Sequence, residues 1–163
     1  MTYYEIFFEE CSAALGFLVE ERGWREVQRR ASLASKVVYL KDEIALEIVL
    51  DWRDFDISAY VSLWELAQDA WRVDESGRLV REMLDFIADR SWYLSEEVKA
   101  LRVPAKLVNQ ASRTRDLELC RLWFRSELRV LGVILRDWEA EIIARARQKL
   151  GVIVPPDDPW DRF

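Results

Sequence analysis

Histidine is missing from this chain altogether. Its absence removes the commonest general base, the commonest metal ligand and the usual third member of a nucleophilic triad. Cysteine is nearly missing. Cys11 and Cys120 both fall within apolar helical patterns, where a buried free thiol is the ordinary state. Two separate thiols without imidazole do not make a zinc site. The glycines, Gly16, Gly23, Gly77, Gly132 and Gly151, stand alone, so there is no glycine-rich loop to cradle a phosphate. No apolar run approaches the roughly 18 residues of a membrane span. The opening MTYYEIFFEEC carries acids where a secretory signal would carry an early Lys or Arg, so a cytoplasmic location is expected. These absences predict no catalytic residue, no metal and no cofactor, and a chain that is not an enzyme.

What is present is the composition of a folded domain. With 163 residues, 51% hydrophobic and 33% charged, the chain is long enough and apolar enough to bury one core. Its net charge of −6 opposes binding to nucleic acid or anionic membrane and favours a neutral or basic protein partner.

The pattern reads as α+β, a single domain over 1–163 with a proline-punctuated acidic tail at 152–163. Thr2-x-x-Glu5 is a capping box, followed by Tyr4, Phe7, Phe8, Cys11, Leu15 and Leu18 on one helical face. Glu9, Glu10, Glu20 and Glu21 lie off that face. After Gly23, WREVQRRAS reads as an edge strand or as helix; the strand is the better fit because the glycine interrupts. In EIALEIVLDWRDFDISAYVSLW, Ile44, Leu46, Ile48 and Leu50 alternate with polar or small partners, and Ile57, Ala59, Val61 and Leu63 do so again. This predicts the centre of a four-stranded antiparallel meander with one buried face. The helical C-terminal half should pack on that face, with Glu47 pointing the other way. LWELAQDAW reads as a short helix, and Ser76 or Gly77 as the start of another. Ser95 and Pro104 open further helices. The longest pattern runs from about Asp116 to Leu150 and ends at Gly151. Trp123 and Ile143 lie off its main stripe, which is compatible with a homodimer.

Three features invite functional readings. Asp51, Asp54 and Asp56 crowd one hairpin turn. Turn chemistry explains aspartate there, with Arg53 neutralising one of them; a hard-metal site needs convergence that the spacing does not provide; a partner-facing acidic patch anchored by Trp52 or Phe55 is the third reading. Trp52 should be the least exposed of the group and Phe55 the exposed anchor. Arg121, Arg125, Arg129 and Arg136 form a helical stripe, read as a solvated face with paired acids or as a phosphate-binding stripe that the overall acidity opposes. Trp160 and Asp161 sit in PPDDPWDRF, either docked on the domain or presented to a partner.

Residues 3–63, an amphipathic Phe- and Leu-rich helix, a Gly-Trp step and then VVYLKDEIALEIVLDWRDFDISAYV, resemble a broad set of small bacterial proteins. Some of these look like immunity proteins of polymorphic toxin systems, which are acidic, single-domain and noncatalytic. The resemblance implies a protein that occludes a cognate toxin, and it transfers no catalytic residue. The expected function is therefore a binding protein of immunity type. A structural or adaptor protein is the alternative, and a carboxylate or hard-metal enzyme comes third.

Overall fold

The computed structural model describes residues 1–30 and 34–151. Thr2 caps the first helix: its side chain accepts the N–H of Glu5, whose carboxylate accepts the N–H of Thr2 at 2.7 Å. This capping box, legible in the sequence, starts α1 (Tyr3–Glu21), which buries Ile6, Phe7, Cys11, Leu15 and Leu18 along one stripe. Gly23, at φ +78°, takes a conformation that side chains avoid and turns the chain into β1 (Arg25–Arg30). The edge strand is thus preferred over helix at this segment.

β2 (Ala34–Lys41), β3 (Ile44–Asp51) and β4 (Asp56–Glu65) follow as antiparallel neighbours, in the order β1-β2-β3-β4. The register pairs Ile44 with Leu63, Leu46 with Val61 and Ile48 with Ala59. These residues enter one core with the apolar faces of the helices, as the alternation predicts.

Glu47 lies on the opposite face, as expected, but that face is not open. Glu47 is fully buried there. Val38, Leu40, Ala45 and Trp64, with Val27 and Trp71 against them, form a second, smaller core. Lys36 Nζ stands 3.5 Å from one Glu47 oxygen, and the other oxygen has no hydrogen-bond partner among the described residues. The cover comes from a segment that the periodicity presents as helix. Instead of a short helix at LWELAQDAW, β4 runs on to Glu65, turns at Asp69 (φ +49°) and returns as β5 (Ala70–Trp71). Trp64 and Trp71 become cross-strand partners with rings 4.8 Å apart, edge to face. A seven-residue spacing suits a helix stripe or a hairpin, and here the aromatic pair settles it. The helix expected from Ser76 or Gly77 is likewise replaced, by β6 (Arg81–Met83), which pairs with β4, and the short α2 (Leu84–Ile87).

A 3-10 turn (Arg90–Leu94), α3 (Glu96–Leu101) and α4 (Ala105–Thr114) lead to α5 (Leu117–Lys149). Ser95 and Asp116 cap α3 and α5 through their side chains, and Gly151 (φ +74°) follows the end of α5. α5 crosses α1 closely: a Cβ on Gly132 would lie 2.9 Å from the Ala14 carbonyl oxygen. The arginine stripe belongs to this seam. Arg121 and Arg125 both grip Glu10, at 3.1 and 3.0 Å, and Arg121 also reaches Glu9. Arg136 lies over the Phe17 ring at 4.2 Å. Glu10 is therefore buried, contrary to its place off the apolar face, because α5 supplies two guanidinium groups that no local pattern reveals. Arg129 and Arg136 are the exposed members of the stripe, and Arg121 and Arg125 are half-buried. Trp123, a candidate dimer contact by its spacing, is buried in the chain's own core.

Beyond Leu135 the helix changes character. Trp138 has non-helical dihedrals (φ −129°, ψ 15°) and stacks on Trp92 with rings 4.7 Å apart. The next residue, Glu139, is buried and accepts from Trp24 Nε1 (2.6 Å), Lys41 Nζ (2.9 Å) and Arg22 (3.0 Å). Burial works against its ionisation, but these hydrogen bonds and the two cationic charges outweigh it and hold the carboxyl below the usual glutamate range.

Candidate functional site: the acidic end of the sheet

The β3–β4 turn is a four-residue loop closed by Asp51 opposite Asp56. Asp51 Oδ1 accepts the N–H groups of Arg53 (2.8 Å) and Asp54 (3.0 Å), so this aspartate performs turn chemistry. Asp56 accepts the N–H of Ile57, at 2.9 Å, and no other hydrogen bond from the described residues. Among the described residues, no basic side chain lies within ion-pair distance of Asp51, Asp54 or Asp56, so Arg53 neutralises none of them. Nor do any three acids or thiols among the described residues converge as a metal cage would require.

Phe55 corrects the expectation for this turn. It is 4% exposed, while Trp52 is half-buried, the reverse of the predicted order. Phe55 sits at φ +50°, and this left-handed step swings its ring inward. There it meets Tyr3 (5.4 Å), Trp123 (5.6 Å) and Phe124 (6.0 Å), with the Arg115 guanidinium 4.6 Å above the ring. Strand alternation stops at the turn, so it could not assign Phe55. Trp160 and Asp161 lie outside the described residues.

Two concavities flank the turn. On one side an open aromatic groove of about 500 Å³ is lined by Tyr3, Tyr4, Trp52, Arg115 and Leu117. On the other a cleft of about 360 Å³ runs between β4, α2, the 3-10 turn and α5. Here β4 before Tyr60 pairs only with β3, because β6 covers Tyr60–Ser62 alone. Asp56 lines this cleft together with Asp85 and Glu127, and Arg102 is the one basic side chain among its lining residues.

Within the cleft Tyr93 donates its hydroxyl to Asp85 (3.2 Å), and Arg102 donates to Glu127 (3.2 Å). Burial pushes the Glu127 carboxyl above the ordinary glutamate range; Arg102 opposes this, but the charges of Asp56 and Asp85 reinforce it. Burial and Asp85 likewise push the Tyr93 phenol up. The cleft thus holds more negative charge than Arg102 balances. The neighbours of Asp85 and Tyr93 in the chain, Phe86 and Leu94, are 65% and 64% exposed.

Such a site can take up a cationic group. A raised carboxyl is also a general-acid feature, but among the described residues the one side-chain hydrogen bond that Glu127 receives comes from Arg102, which favours the charged form. Sequence reasoning found Asp56 and missed Asp85, Tyr93, Arg102 and Glu127. They come from separate segments, and nothing local marks them.

No helix among the described residues is long and apolar enough to cross a membrane. The chain matches no family model, no curated protein and no solved structure.

Proposed function

We propose that the chain is a noncatalytic cytoplasmic binding protein of immunity type, which blocks a basic partner protein with the acidic end of its sheet. The observation that carries this reading is the meeting of Asp56, Asp85 and Glu127 around one cleft whose lining has a single arginine. With Asp54 beside them at the turn, these groups make a field that speeds encounter with a positively charged surface. Phe86 and Leu94 would then lose their exposed area on contact and slow dissociation. The resemblance of residues 3–63 to immunity-type proteins points the same way, as does the net charge of −6.

The experiment is co-expression with a toxin encoded beside the gene, followed by interferometry with the purified pair. The variant is Asp56→Asn with Glu127→Gln, melted first to confirm that it folds. Protection by the wild type is expected. The double variant should associate about 3- to 10-fold more slowly, with a flatter salt dependence. Unchanged association kinetics in the folded variant would remove the cleft from the interface. Failure of the wild type to bind or protect would favour the structural or adaptor reading.

A further inference from the structure

α5 is one helix in name and two in the way it is held. Up to Leu135 it buries eight apolar side chains, beginning with Cys120 and including Phe124, Leu128 and Leu131, and it crosses α1 at Gly132 with no room for a methyl group. Beyond Trp138 only two apolar side chains, Ile142 and Ala146, are fully covered. Ile143 packs half-buried against the same core, and the remaining ties are polar or cationic. Glu139 takes Trp24, Lys41 and Arg22. Arg147 takes Glu43 at the β2–β3 turn and stands 3.9 Å from Asp42. Arg145 donates to the Ile87 carbonyl at 3.1 Å and lies over Trp92. Lys149 donates to the Phe86 carbonyl at 3.1 Å and stands 3.9 Å from Glu82. The break in helical dihedrals falls at Trp138, between the two regimes.

We propose that residues 139–149 form a strap that opens as a unit about Trp138 when its ion pairs are weakened, while the rest of α5 stays docked on α1. Three observations support it. The helix is already interrupted at the hinge, so opening there breaks less regular hydrogen bonding than elsewhere. The ion pairs meet solvent on one side: Arg22, Lys41, Glu43 and Arg147 have side chains about a third exposed (27–35%), although Glu139 itself is buried, so dissolved salt can screen them from that side. The apolar seat beneath the strap is small, and segments with few buried apolar contacts open below the global unfolding free energy. Opening would uncover Ile142, Ala146 and the ring of Trp92, an apolar strip next to the exposed Phe86. The strap therefore governs how much apolar surface the protein presents, whatever its partner.

The test is hydrogen exchange read by mass spectrometry on the full chain, at low salt and at about 1 M sodium chloride, where the screening length falls to roughly 3 Å. Amides of 139–149 should exchange at least tenfold faster than those of 120–135. The gap should widen at high salt and in Arg147→Gln. Glu139→Gln should widen it further; if that variant unfolds, Arg147→Gln, changed at a less buried site, still decides the matter. Equal exchange in the two stretches, moving together with salt and with Arg147→Gln, would make α5 a single cooperative unit and overturn the proposal.

Discussion

Gly16 and Gly132 permit one substitution to be tried on both sides of the α1–α5 seam, and the structure gives it opposite signs. Each glycine is inside a helix at ordinary negative φ, so alanine brings the same local benefit, about 0.5–1 kcal/mol of helix preference. At Gly16 the new methyl meets nothing within 4 Å. Gly16→Ala should therefore keep the whole gain. At Gly132 the same methyl would lie 2.9 Å from the Ala14 carbonyl oxygen, a backbone atom that cannot rotate away. Ordinary contact begins near 3.4 Å, so the helices must part by about 0.5 Å along a seam packed by Leu15, Leu18, Leu128 and Leu131. Overpacking of this kind costs about 1–3 kcal/mol, which exceeds the helix benefit. The net loss for Gly132→Ala is then roughly 1 kcal/mol, and the two variants should differ by about 2. For a chain of this length each kcal/mol moves Tm by about 2–4 °C. Thermal melts and urea titrations of the two variants and the wild type measure the difference, with unchanged m-values expected for both. If Gly132→Ala melts with or above Gly16→Ala, the helices separate without cost and the tight crossing is not what holds them.

Glu127 gives a pH prediction. Its carboxyl is pushed above the ordinary glutamate range in the folded state, so between the ordinary value and the raised one the folded chain binds more protons than the unfolded chain. Stability from this group therefore falls as pH rises through that window. Glu127→Gln should flatten this slope in melts taken at stepped pH, and a steeper slope in the variant would contradict the assignment. The two cysteines should stay silent. Burial raises the Cys11 thiol well above its usual range and pushes Cys120 up to about 11, so a thiol reagent should react with both only after urea unfolding, and reaction with the native chain would show the core to be open.

The parts of the fold that were legible in the sequence are those governed by neighbours in the chain. Thr2, Ser95 and Asp116 announce their helices because a cap acts within three residues. The alternation of Ile44, Leu46, Ile48 and Leu50 sets the register because one face of the sheet must be buried. What could not be read depends on distant partners. Glu10 looks like a surface acid until Arg121 and Arg125 arrive from α5. Glu47 looks like a solvent-facing acid until Trp71 folds back across the second face. Phe55 depends on one left-handed residue at the end of a loop, where no periodicity applies. The cleft gathers Asp56, Asp85, Arg102 and Glu127 from four elements, so only its first member, already conspicuous in the turn, could be named.

The α1–α5 seam has a consequence for synthesis. α1 and the meander β1–β4 are complete once residue 65 has been made, yet the helix that covers their apolar face is not available until about Leu135. At about 5–20 residues per second this gap lasts roughly 4–14 s. Throughout it the nascent chain carries Phe7, Leu15, Ile48 and Val61 on a surface with no lid, next to an edge strand that can pair with another chain. Late-made residues therefore protect early-made ones. A destabilising change in α5 should lower yield through aggregation on or near the ribosome more than its effect on the finished fold would suggest, and faster elongation or a chaperone that holds apolar segments should restore that yield.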